Sequence, residues 1–145
     1  MFEVKEITAE DTYPLRHSIL RPHQTLADCL YPGDSKTESF HVGAYIGDEL
    51  VCIASFFPQL SDRLPHAKQY RLRGMGTLPE HQGKGIGARV LEEGERIARE
   101  KGYDLIWCNA RTSAYGYYVK QDYTAFDDIF EIEGIGPHKV MYKLL

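Results

Sequence analysis

The sequence predicts an α/β domain with one mixed, mostly antiparallel sheet flanked by helices, and three observations carry that prediction. Segments with a two-residue hydrophobic period interleave with segments of helical period along the whole chain, rather than separating into blocks. In the middle, a strand enters the glycine-rich turn Gln82-Gly-Lys-Gly-Ile-Gly87, continues into an amphipathic helix and then into a second apolar strand. That is the pattern of a right-handed βαβ unit with parallel strands. Around it, two pairs of extended segments are joined by short turns, as antiparallel neighbours are.

Taken in order, Phe2-Glu-Val-Lys-Glu-Ile7 alternates and reads as a first strand. Thr8 offers a helix cap, with Asp11 in the place of the usual Glu or Gln of a capping box. A helix over 9–20 puts Leu15, Ile19 and Leu20 on its apolar stripe, and Pro22 helps to stop it. From 21 to 39 the chain carries two prolines, a Pro32-Gly33 turn and a short helical possibility over 25–30, the character of a substrate-side loop. Residues 40–46 and 50–57 form a hairpin around Gly47-Asp-Glu. After a polar excursion over 59–66, a strand over 68–78 feeds the glycine turn. The next helix sets Ile86, Val90, Leu91, Ile97 and Ala98 on one face and stops at Gly102. Tyr103 to Cys108 is the second strand of the unit. Thr112 or Ser113 caps a last helix through Gln121, and residues 123–133 and 139–144 close the chain as a hairpin around Gly134-Ile-Gly-Pro137.

Composition bounds what such a chain does. At 145 residues it is most simply one domain over 1–145, large enough to need no disulfide or metal staple. Hydrophobic residues at 43% and charged residues at 26% are those of an ordinary folded domain, and a net charge of −4 argues against a general binder of nucleic acid or of anionic membranes. Cys29, Cys52 and Cys108 are odd in number and widely spaced, so neither a disulfide framework nor a metal site is expected, and a reducing cytoplasmic setting fits. The N-terminus lacks the layout of a signal peptide, and no apolar run approaches the length of a membrane span.

The glycine turn is suited to a phosphate. Gly83, Gly85 and Gly87 let the backbone curl and present successive N–H groups, and the helix beginning at about Gly85 adds four unpartnered N–H groups and the positive end of its dipole. The spacing rejects two familiar phosphate loops. No glycine is followed by Lys and then Ser or Thr, as a Walker A loop requires, and Gly85-Ile-Gly87 is not completed as G-x-G-x-x-G.

What the residues spell is Q/R-x-x-G-x-G/A, preceded by a strand ending Met75-Gly-Thr-Leu-Pro79. This resembles the acetyl-coenzyme A loop of the GCN5-related N-acetyltransferase (GNAT) superfamily. Further on, Asn109-Ala-Arg-Thr-Ser-Ala-Tyr-Gly-Tyr-Tyr118-Val-Lys-Gln-Asp-Tyr123 is similar to that family's second motif, N-A-x-x-x-A-x-x-F-Y-x-x-x-G-F, with Gln121-Asp122-Tyr123 in place of the usual Leu-Gly-Phe. The resemblance covers nearly the whole chain. The segment Gly-Ile-Gly-Pro-His138 is reminiscent of the ElaA-like and YjcF-like branch.

The resemblance implies the GNAT acyl-CoA N-acyltransferase fold, with acetyl-CoA as co-substrate and a small-molecule or peptide amine as acceptor. It implies that backbone groups around Met75, Gly76 and Thr77 pair with the pantetheine arm. The N–H groups of Gln82, Gly83, Lys84, Gly85, Ile86, Gly87 and Ala88 would surround the pyrophosphate, and Asn109 would bond the pantetheine. Tyr118 would sit near the sulfur as general acid, with Tyr117 as the alternative, and Lys84 and Arg89 could add charge at the adenosine phosphate. The amine also needs a base, yet the strand over 69–78 has no Asp or Glu; His41, Glu131 and His138 are candidates from elsewhere. Arg71 and Arg73 share a face of that strand and either meet an acidic acceptor or pair with neighbouring carboxylates. No metal, nucleic acid or membrane partner is expected, and the oligomeric state is open, a homodimer included. The competing reading is a non-catalytic acyl-CoA sensor, which the missing strand carboxylate favours and the Tyr118 motif disfavours.

Overall fold

A computed structural model describes residues 1–145. Eight strands form one sheet in the order β1-β2-β3-β4-β5-β8-β6, with β7 also paired to β8. These strands are β1 (Glu3–Ile7), β2 (Phe40–Ile46), β3 (Glu49–Pro58), β4 (Gln69–Thr77), β5 (Leu105–Arg111), β6 (Thr124–Ala125), β7 (Phe130–Ile132) and β8 (Gly136–Leu144). The helices are α1 (Ala9–Leu15), α2 (Ile86–Glu100) and α3 (Tyr115–Lys120). All pairings are antiparallel except β4 with β5, the parallel pair bridged by α2. The sequence-based fold class is therefore the observed one.

The apolar core lies between the sheet and α2. Ile86, Val90, Leu91, Ile97 and Ala98 face Phe40, Val42, Ala54, Phe56, Tyr70 and Leu72 in one buried cluster. The fit is close enough that a Cβ on Gly94 would lie 2.1 Å from the Phe56 ring. The other face of the sheet carries α1 and the turn after it.

Several local expectations are corrected. The helix over 9–20 is α-helical only to Leu15; Arg16–Leu20 is one π turn, closed by Arg21 N–H donating to the Arg16 carbonyl at 3.0 Å, and Pro14 lies just before the change. Its buried residues are Ala9, Thr12 and Arg16, not the apolar stripe, because Arg16 turns inward to Ser55 on β3 and to Asp34. The capping box of Thr8 and Asp11 forms as expected. Neither Thr112 nor Ser113 caps the last helix; they belong to a 3-10 turn that leads into α3 without a side-chain cap. The segment over 123–133 is not one strand but two short ones, β6 and β7, while the hairpin around Gly134 stands.

Candidate active site

The central feature is a divergence of β4 from β5. Only Gln69, Tyr70 and Arg71 pair with Leu105, Ile106 and Trp107. Beyond them β4 keeps its bonds to β3, and β5 keeps its bonds to β8, but the two parallel strands separate. A bulge explains where β4 turns away: Ile53 pairs with Gly76 and Ser55 with Arg73, so Ala54 faces both Gly74 and Met75. Gly74 takes φ +62°, the left-handed conformation of the glycine type of bulge. The separation opens a cleft of about 1000 Å³, floored by the diverging strands and bounded by the glycine turn, α3 and the segment after α1. The inner backbone edges of β4 and β5 are left unpaired there.

At one end lies the N-terminus of α2. Gly83 and Gly85 adopt φ +77° and +80°, and a Cβ on either would meet only open space. Gly85 caps the helix without a side-chain bond, and the first helical bond runs from Arg89 N–H to the Gly85 carbonyl. The N–H groups of Ile86, Gly87 and Ala88 are thus free of helical partners, and no acidic residue in the first turn offsets the dipole. Gly87 is a glycine for another reason than the one read from sequence. Its backbone is helical, but a Cβ there would lie 2.8 Å from the Tyr117 hydroxyl. Gln82 ties the turn to the strand, its Nε2 donating to the Thr77 carbonyl at 3.2 Å.

Of the residues expected to hold a cofactor, Met75, Gly76, Thr77, Gln82, Gly83, Gly85, Ile86, Gly87, Ala88 and Asn109 all line this cleft, and so does Tyr118. Lys84 does not: it is exposed, with Nζ 3.2 Å from His81 Nδ1. Arg89 sits on the outer face of α2 beside Glu92. Tyr118 is buried at the inner wall, its hydroxyl donating to Met75 Sδ at 3.9 Å, with the Cys108 thiol as a neighbour. Burial above all, then the neighbouring Cys108, raises its phenol well above the ordinary range. Tyr117 stands at the mouth, 37% exposed, with burial lifting its phenol to about 12. Cys108 shares the wall with Tyr118, and burial pushes its thiol up to about 12. No spacing rule pointed to Cys108, because its contact with Tyr118 arises only when α3 folds over β5.

The candidate bases separate clearly. His41 is fully engaged, with Nδ1 at 2.7 Å from Ser55 Oγ and Nε2 at 3.1 Å from the Asp34 carbonyl. Glu131 is exposed on β7, away from the cleft. His138 lines the cleft with Nδ1 2.7 Å from the Gly136 carbonyl. A carbonyl can only accept, so Nδ1 is the donor and the neutral ring keeps its lone pair on Nε2.

Across the sheet from α2, a buried network fixes the segment over 21–39. Arg16 donates to both oxygens of Asp34 at 2.9 Å, to the Cys29 carbonyl at 2.8 Å and to Ser55 Oγ at 2.8 Å. Burial alone would raise the Asp34 carboxyl, but hydrogen bonds from Arg16 and the Tyr31 N–H outweigh it and hold it below the usual range. This ion pair spans residues with no periodic relation and was invisible in the sequence. Ile19 and Leu20 approach the opposite side of Gly76, where a Cβ would lie 3.1 Å from Ile19.

A strand splayed from its parallel neighbour by a bulge, a helix N-terminus at one end and a tyrosine at the inner wall together define the cleft. The sequence profile of the acetyltransferase (GNAT) family matches residues 3–123. The chain belongs to the GNAT acetyltransferase family. It is 45% identical over 145 residues to the uncharacterized N-acetyltransferase YitI of Bacillus subtilis (strain 168), covering 100% of this chain and 97% of that one. In fold it is similar to Escherichia coli ElaA (TM-score 0.75, 16% identity, 99% of each chain) and to an aminoglycoside 6'-N-acetyltransferase complexed with coenzyme A (TM-score 0.73, 15% identity, 98% of this chain and 96% of that one). As a member of this GNAT family it is an N-acetyltransferase, and its reaction class is acyl transfer from an acyl-CoA to an amine.

Proposed function

We propose that this GNAT protein transfers the acetyl group of acetyl-CoA to a primary amine by direct attack, with both substrates bound together in the cleft. The observation that carries this reading is the separation of β4 from β5 between the free N–H groups of α2 and the buried Tyr118. An extended, amide-bearing pantetheine arm fits between the strands and pairs with their unpaired edges near Met75, Thr77 and Asn109. Its pyrophosphate then rests on the N–H groups from Gly83 to Ala88, where a helix N-terminus and two left-handed glycines favour an anion. The thioester lies beside Tyr118.

In the reaction the amine lone pair attacks the thioester carbonyl, the C–N bond forms and the C–S bond breaks. The thiolate takes a proton from the Tyr118 hydroxyl. The raised phenol is matched to this task, since the same desolvated wall that lifts Tyr118 lifts the Cys108 thiol, and a departing thiolate placed there becomes a stronger base in the same way. His138 takes the ammonium proton of the acceptor through Nε2 before attack, and the second proton, shed by the nitrogen as the amide forms, restores the Tyr118 phenol. Positioning two reactants side by side supplies most of the remaining rate.

The test is turnover of a panel of primary amines with acetyl-CoA, followed by release of free thiol. Amine-dependent thiol release supports the enzyme; tight binding of acetyl-CoA with no turnover and no slow hydrolysis would leave the sensor reading in its place. His138→Gln should lower kcat/KM most at neutral pH, and its deficit should shrink at high pH, where more of the amine arrives already deprotonated; a deficit independent of pH would remove His138 from the base role.

A further inference from the structure

The arginines on the far side of the cleft bear on what the acceptor carries. Arg71 and Arg73 alternate along β4 with Tyr70 and Leu72, which are buried in the core beneath α2. Both arginines therefore emerge on the opposite face, the one covered by Tyr31 and the turn after α1. Arg73 lies with its guanidinium 4.3 Å from the centre of the Tyr31 ring. Arg71 stacks over Trp107 at 5.2 Å, reaches Gln59 Oε1 only at 3.4 Å, and leaves its buried Nε without a partner. Arg21, on the same cavity, has its guanidinium 5.7 Å from the Tyr31 ring and its buried Nε likewise without a partner.

None of the three forms an ion pair; the ion pairs of the chain all involve other residues. The nearby Asp34 is committed, with both oxygens bound by Arg16 and Oδ2 also accepting from the Tyr31 N–H. No Asp or Glu lines the cleft at all, in a chain that carries 21 acidic residues against 17 basic ones. Gathering partly buried cations without counter-charge is unfavourable, and it shows: burial first, and the charge of Arg73 second, bring Arg71 down to about 10. Nor do the phosphates of the cofactor account for the cluster, because the glycine turn lies on the α2 side of the sheet. Polyamines and aminoglycosides, which are polycations, are poorly served by such a wall.

We propose that the acceptor is a primary amine that also bears an oxyanion, a carboxylate or a phosphate, and that Arg71, Arg73 and Arg21 hold this group while the amine faces the thioester. The planar forks of arginine bind either oxyanion through paired hydrogen bonds. The inference rests on the acetyltransferase reading above, and its test has a readout that survives the failure of that reading.

With saturating acetyl-CoA, kcat/KM is compared for γ-aminobutyrate, phosphoethanolamine, butylamine and putrescine. At least one of the two anionic amines should exceed both others by about tenfold or more, the size of effect expected from charged hydrogen bonds. Which of the two leads distinguishes carboxylate from phosphate. Arg71→Gln and Arg73→Gln should each bring that ratio toward one, and Arg73→Lys, which keeps the charge but loses the fork, should fall between; this last variant also serves if Arg73→Gln does not fold. Equal or better use of butylamine or putrescine overturns the proposal. So does a ratio unchanged in the variants, or a matching loss of acetyl-CoA affinity, which would assign the arginines to the cofactor. If no amine is turned over, melting curves with coenzyme A present decide. Stabilisation by γ-aminobutyrate or phosphoethanolamine, absent with putrescine and lost in Arg73→Gln, sustains the anion site while removing the enzymatic reading; no stabilisation by either anion overturns the anion site.

Discussion

The two faces of the central sheet are held by different physics. Under α2, packing is mainly apolar: Val90, Leu91 and Ala98 are buried against Phe56, Tyr70 and Leu72, Gly94 lets the helix settle onto Phe56, and the buried Glu95, bound by Lys143 and Tyr123, is the polar exception. On the opposite face, beside α1, the contacts are directional and charged, with Arg16 bound to Asp34, Ser55 and the Cys29 carbonyl, and only a smaller apolar cluster of Leu105, Trp107 and Val140 lies elsewhere on that face. Apolar packing tolerates substitution of similar volume, whereas a buried ion pair fails when either partner is removed. The difference matches a division of labour. A mainly apolar layer supports the glycine turn, and a specific polar network fixes the segment that faces Arg73.

That comparison can be broken or sharpened by substitution. The largest effect is expected where the two faces meet at the reaction: Tyr118→Phe keeps the ring and its packing but removes the hydroxyl, so turnover should fall by about 10²–10⁴ while acetyl-CoA affinity, measured by calorimetry, stays near wild type. Next, Arg16→Met leaves the Asp34 carboxylate buried and unpaired, which should lower unfolding stability by about 3–5 kcal/mol in urea melts; the double change of Arg16→Met with Asp34→Leu should recover much of it, as no stranded charge remains. On the α2 face, Gly94→Ala forces a methyl into the Phe56 ring and should cost about 1–3 kcal/mol, despite the better helix propensity of alanine.

A smaller effect concerns acid. Burial lowers the titration of His41 below its usual value, so the unfolded chain binds its proton first and stability begins to fall as pH drops below about 6.5. The Asp34 carboxyl is held below its ordinary value, so its contribution is full above about pH 4 and is lost as pH falls through the lowered folded value. In melts as a function of pH these two groups should therefore contribute loss on the acid side, while the raised Cys108, Tyr117 and Tyr118 contribute a separate loss at alkaline pH. Asp34→Asn should remove the lower part of the acid loss and leave the part near pH 6.

The α2 face was legible because its signals are local. Periodicity placed Ile86, Val90 and Leu91 together, and the glycine spacing marked the turn at the helix start. Even there, Gly87 was identified with the wrong cause, since its constraint is the Tyr117 hydroxyl from a helix thirty residues on. On the other face the decisive contacts join residues far apart in the chain. Arg16 and Asp34 obey no period, and Arg16 displaced Leu15 from the buried side of its helix. The bulge at Gly74 was read as plain strand, because Gly-Met-Gly gives no sign of which glycine must take positive φ. Asp122, at φ +70°, turns the chain where a strand was expected to start, and no glycine stands there to announce it.

The central claim, that the cofactor's pyrophosphate rests on the glycine turn, is tested most directly by titrating acetyl-CoA into Gly85→Asn and Gly85→Asp side by side. Both replacements tolerate a left-handed backbone about equally and point into open space, so they differ in charge alone. Like charges at close range repel by up to several kcal/mol at an effective dielectric of about 20, and by less at an exposed turn such as this. The Asp protein should therefore remain folded and bind acetyl-CoA at least about tenfold more weakly than the Asn protein. Equal affinity in the two proteins would contradict the account and place the phosphates elsewhere.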